Sequence, residues 1–229
     1  MAPLSISVFD FFSYAIPGLF VLLAFVVGFN SQIVKLSDVA LLFPQISIVT
    51  AIAMVIGGYI LGFFIDTPGS WLYANVASRA WGSARTMYSD SVPDGDKRIL
   101  VRHFSPENET YLQNWKVAKT MAHNLAFACV VAISCSIFKI TQVSPTFRPE
   151  WAALVGFCAL ACVTFLERSH TFDRWHYRDL SDMYRVLNLD GVALVEQGSP
   201  KPPALLDAGL APKHSKEGFE ETPIDKQSS

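Results

Sequence analysis

Tyr14-Ala-Ile-Pro-Gly-Leu-Phe-Val-Leu-Leu-Ala-Phe-Val-Val-Gly-Phe29 lies in an apolar window, residues 9–29, and no Lys or Arg precedes Lys35. About 20 consecutive apolar residues let an α-helix cross the hydrocarbon core of a bilayer. Three further windows, 46–65, 121–138 and 151–166, have the same character. The chain has 229 residues, 51% of them hydrophobic and only 17% charged. A soluble domain carries about 25% charge. The charge that is present is concentrated between the windows. The reading is an all-α membrane protein with about four transmembrane helices and a helical cytoplasmic lobe.

A secretory signal peptide needs a positive n-region and a small-residue cleavage site, and neither is evident here, so the first window is expected to stay as a span. Phe9, Phe11, Phe12 and Tyr14 suit an interfacial aromatic segment, with a bend expected at Pro17-Gly18. Asp10 reads as a water-facing interfacial residue or helix cap. The second window contains Ala53, Gly57, Gly58 and Gly62. Residues 128, 132 and 136 of the third are Ala128, Ala132 and Ser136, spaced by four. Small residues at that spacing let helix backbones approach closely, since lipid offers no hydrophobic drive for helix pairing. Window four is short, so its helix is expected to start near Pro149 or to snorkel its flanking charges.

Positive charge sets the orientation. The second connection holds Arg79, Arg85, Lys97, Arg98, Arg102, Lys116 and Lys119, and the stretch after window four holds Arg168, Arg174, Arg178 and Arg185. Against them stand Lys35 in the first connection and Lys139 with Arg148 in the third. Both ends of the chain are therefore expected in the cytoplasm.

The chain divides on this reading into a first hairpin (1–66), a cytoplasmic lobe (67–120), a second hairpin (121–166), a juxtamembrane amphipathic helix (167–191) and a disordered tail (192–229), rich in Pro and polar residues. Asp66-Thr-Pro-Gly69 reads as a helix stop and restart, with a helix then covering 71–87. Residues 89–96 form a turn-rich break. Ser105-Pro-Glu107 starts a helix that runs on into the third span. From Phe172, about 100° per residue puts Trp175, Leu180, Met183, Val186 and Leu187 on one side. Arg174, Arg178 and Arg185 fall on the other, with Ser181, facing anionic headgroups or an acidic partner. The apolar side is expected to pack on the helix that begins near Pro106.

Cys129, Cys135, Cys158 and Cys162 all lie in apolar windows and read as small buried hydrophobes. Arg98-Ile-Leu-Val-Arg-His103 has the Arg-x4-His spacing of HEPN-type ribonucleases, a motif short enough to recur by chance. His170 and His176 stand about 240° apart on a helix, poor geometry for one metal ion. His123 and Asn124, at the mouth of the third span, read as helix-packing hydrogen-bonders. The sequon Asn108-Glu-Thr110 falls in the expected cytoplasmic lobe. No metal, cofactor or nucleic acid is called for, and no catalytic residue is assigned.

Phe9-Asp-Phe-Phe-Ser-Tyr-Ala-Ile-Pro-Gly18 resembles the opening of small bacterial multi-pass proteins, some of which accompany anti-phage systems. That resemblance covers about ten residues and implies a bacterial inner-membrane setting. The first expectation for function is a non-enzymatic membrane component that forms homo-oligomers and docks a cytosolic protein partner. The alternatives are an oligomeric pore or membrane-disrupting effector, and a membrane-bound nuclease using Arg98 and His103.

Overall fold

A computed structural model describes residues 8–88 and 92–187. Helix α1 is Val8–Phe29, a 3₁₀ segment covers Leu36–Gln45, and α2 is Ile48–Leu72. A π-helical turn, Tyr73–Ala77, joins α2 to α3, Ser78–Trp81. Then come α4 (Ala84–Met87), α5 (Asp94–Phe104), α6 (Pro106–Gln142) and α7 (Arg148–Val186). No strand occurs among the described residues. Four helices are long and apolar enough to cross a membrane. The expected Asp10 side-chain role and the expected tail lie outside the described residues.

Local chemistry explains where the helices begin. Ser47 caps α2, its Oγ accepting from the Thr50 N–H at 3.1 Å. Pro106 opens α6, followed by Glu107 and Glu109 in the positive end of the helix dipole. Pro149 and Glu150 do the same for α7, so the fourth span does start at the Pro149 edge. At 37 and 39 residues, α6 and α7 greatly exceed one bilayer thickness. Each therefore continues from its apolar window into the lobe.

Close approach sets the bundle. A Cβ on Gly18 would collide with the Gly58 carbonyl, and one on Gly62 with the Tyr14 carbonyl. Only glycine lets α1 and α2 touch backbone to backbone there. Around this crossing Tyr14 stacks on Phe63 at 4.3 Å and Phe11 on Tyr59 at 4.9 Å. Val21 packs with Ala128 and Gly28 faces Cys135; the two contacts advance together, so α1 and α6 run parallel. Along α6 and α7, Cys129 and Ala132 pack on Cys158 while Lys119 meets Asp173, so these two are antiparallel. Four alternating spans return the chain to the lobe end.

Several expectations need correction. The helix does not stop at 66–69: Pro68 lies inside α2, because Gly69 packs against His123 and Asn124 and holds the segment in line. Backbone groups near the membrane must also stay internally bonded. The break comes at Gly82, whose φ of 85° suits glycine, so residues 71–87 are not one helix. The expected break at 89–96 contains the start of α5. Pro17 sits inside α1, Val8–Phe29. Of the packing glycines, Gly57 has nothing within 4 Å of a built Cβ; it faces outward, one residue off the stripe formed by Gly58 and Gly62. On α7, Ser181 is buried and Val186 is 84% exposed. The buried stripe there runs Asp173, His176, Leu180, Tyr184 rather than through 172, 183 and 186, because its polar members find partners.

Candidate functional site

Three helices converge where the spans enter the lobe, and each supplies polar side chains at helical spacing. From α2 and the π turn come Asp66, Ser70 and Tyr73; from α6, Lys116, Lys119, Thr120 and His123; from α7, Asp173, His176 and Tyr177. A π turn widens the helix locally and recurs at functional sites; here the Ser78 N–H reaches back to the Tyr73 carbonyl.

Asp173 organises the junction. Its Oδ2 accepts from the Tyr73 hydroxyl at 2.7 Å and its Oδ1 from the Lys119 ammonium at 2.7 Å. Lys119 also sits 4.6 Å from the Tyr73 ring centroid, a cation–π contact. Burial, then the Asp173 charge, pushes the Tyr73 phenol well up, which keeps it a donor. Nearer the membrane, Asp66 Oδ1 meets His123 Nε2 at 3.2 Å and accepts from Asn124 Nδ2 at 3.4 Å. The expected packing role of His123 and Asn124 is what their contacts show.

The lobe side carries further cross-helix bonds. His176 lies 3.2 Å through Nδ1 from the Leu112 carbonyl; a carbonyl can only accept, so Nδ1 carries the proton. Burial, then Lys116, holds His176 below the usual imidazole range. The Trp115 indole N–H donates to Asp179 at 3.1 Å and its ring meets Trp175 at 4.9 Å. These contacts realise the expected packing of the α7 extension on the helix from Pro106. His170 is buried against the Trp81 ring. Between the helices lies a cleft of about 600 Å³.

The residues singled out in the sequence distribute as follows. Arg174, Arg178 and Arg185 are exposed along α7, with Arg178 3.1 Å from its neighbour Asp179. Ala128, Ala132 and Ser136 are buried, as are Gly58 and Gly62, all inside this chain's own bundle. Arg98 pairs with Glu109 at 2.7 Å, while His103 is exposed beside Phe104. The two are not assembled into one site. Tyr73 and Asp173 went unremarked in the sequence, and Lys116 and Lys119 counted there only as charges setting orientation. Their signal was there: 116, 119, 120 and 123 share one face of a helix already expected to run through the boundary.

At the opposite end of the bundle Lys139, 2% exposed, donates to the Asn30 carbonyl at 2.5 Å. Trp151 Nε1 donates to the Val34 carbonyl at 3.0 Å. Glu150 accepts from the Leu36 N–H, also at 3.0 Å. No group of three or more His, Cys, Asp or Glu side chains suited to a metal ion occurs among the described residues.

Fold and site together define a four-span helical membrane protein with a polar junction at the root of its lobe. No protein-family model, no curated protein and no solved structure matches the chain.

Proposed function

We propose that this chain is a non-enzymatic, multi-pass component of a bacterial inner membrane that docks a cytosolic protein partner through its lobe. The observation carrying this reading is the continuity of α2, α6 and α7 from apolar window to lobe. A partner seated on the lobe would bear directly on the spans, with no flexible hinge between them. Ile99, Phe104, Tyr111 and Val186 add exposed apolar surface to the lobe, at 66%, 52%, 45% and 84%, suited to a protein contact. The positive-charge distribution supports a cytoplasmic lobe with both chain ends on that side. Self-association remains part of the proposal, but on different residues. The seams at Gly58, Gly62, Ala128, Ala132 and Ser136 are used within one chain, which leaves Gly57 and Gly156, both with open space around them, for a second copy.

Photo-crosslinking from positions 99, 104 and 186 in native cells tests the docking. A discrete cytosolic adduct is expected. Adducts to lipid alone, with a chain that migrates as a monomer in native mass spectrometry, would remove the reading. An oligomeric pore is the competing proposal, and dye release from liposomes containing the purified chain would favour it instead.

A further inference from the structure

The cleft at the junction has more hydrogen-bond donors than acceptors, and its charges do not balance. Lys116 and Lys119 line it with one carboxylate, Asp173, and the nearby Arg98 and Glu109 charges act on Lys116. Glu109 is held by Arg98 at 2.7 Å. Asp173 is held by Lys119 and Tyr73 through its two separate oxygens. Lys116 is therefore the surplus cation: it lines the cleft and has no hydrogen-bond or ion-pair partner among the described residues. Burial, then the Arg98 charge, lowers its pKa, while the Glu109 and Asp173 charges act to raise it. The Thr120 and Tyr177 hydroxyls line the same cleft, again with no hydrogen bond to a described residue. Lys116, Thr120 and Tyr177 thus border one space with a carboxylate, Asp173, whose two oxygens are already engaged.

We propose that this cleft binds a phosphate-class anion, with Lys116 as its principal ligand, Lys119 as a second cation, and Thr120 and Tyr177 as hydroxyl donors. Its volume of about 600 Å³ exceeds what one inorganic phosphate fills, so the phosphate belongs to a larger molecule. Its level, just beyond the apolar windows and beside Trp115, is where lipid headgroups meet aromatic side chains. The phosphate is carried by a lipid headgroup or by a small soluble metabolite; the chemistry of recognition is the same.

The full-length protein in non-ionic detergent is titrated with glycerol 3-phosphate by calorimetry, and with phosphatidylglycerol against phosphatidylcholine by native mass spectrometry. Saturable binding is expected for at least one phosphate probe. Lys116→Gln should weaken it by about tenfold or more, the loss of one charge-assisted hydrogen bond. Lys116→Arg should retain most of it, and Lys35→Gln, at the opposite end, should leave it unchanged. Binding of the soluble probe alone assigns a metabolite; selective retention of the anionic lipid assigns a headgroup. Absence of saturable binding to either probe, or binding that Lys116→Gln leaves intact in a protein of unchanged elution and helicity, overturns the proposal. No partner protein enters the measurement, so this result and the docking result stand or fall separately.

Discussion

The two ends of the bundle treat buried charge in opposite ways. At the end away from the lobe, Lys139 is bonded to the Asn30 carbonyl. It lies in the last turn of α6 and beside the C-terminal end of α1, so two helix dipoles present their negative ends to it. Trp151 and Glu150 likewise bond to the backbone of the 30–36 connection. Side chain to main chain is a clamp: it fixes one loop in one place and leaves no group waiting for a ligand. At the lobe end the bonds run from side chain to side chain across three helices, through Tyr73, Lys119 and Asp173. Such a network surrounds an open cleft and leaves Lys116 over. The first arrangement stabilises a fold, while the second can respond to something added.

Substitution can break this contrast or sharpen it. The largest effect is expected from Asp173→Ala, which strands Tyr73 and Lys119 together and should cost about 3 kcal/mol. Asp173→Asn, which keeps a polar partner, should cost less. Denaturant titration of the purified protein measures both, and a double-mutant cycle with Tyr73→Phe should show non-additivity. If the two changes simply add, the junction is not a network.

Lys139→Met comes next, at about 1–2 kcal/mol, since one carbonyl is left unbonded and the helix-dipole interaction is lost. The same titration checks it, and phosphate-probe binding should not move. Trp151→Phe removes a single hydrogen bond while keeping an aromatic ring, so about 1 kcal/mol is expected. Faster hydrogen exchange confined to residues 30–40 would accompany it; exchange spreading into the lobe would contradict the picture of a local clamp.

The smallest effect concerns pH. His176 is held neutral by burial, with its folded pKa below the ordinary imidazole value of 6.5. The unfolded chain then binds more protons than the folded one between those two values, so stability rises with pH there. The contribution is complete above about pH 6.5 and is lost as pH falls toward the folded pKa. Thermal melts at pH 7.5 and 5.5 should differ, and His176→Gln, able to keep a donor toward the Leu112 carbonyl, should flatten that difference. An unchanged slope would assign it elsewhere, His170 being the other lobe imidazole lowered by burial.

Sequence by itself determined the spans, their number, and the long helix from Pro106 into the third window. These depend on local quantities: apolar length against bilayer thickness, and the helix-opening prolines Pro106 and Pro149. It also placed Arg174, Arg178 and Arg185 on an outward face. The tertiary structure decided what local signals cannot reach. Pro68 reads as a stop until Gly69 is seen packed against Asn124. Gly57 and Gly58 are adjacent and chemically identical, yet only the position of α1 decides which one is needed. Ser181 reads as solvent-facing because a periodicity sum counts polarity and not partners. The junction is the clearest case, since Tyr73 and Asp173 are 100 residues apart along the chain. No window of sequence contains both, and only the return of the fourth span to the lobe brings a carboxylate to the phenol and the ammonium that complete it.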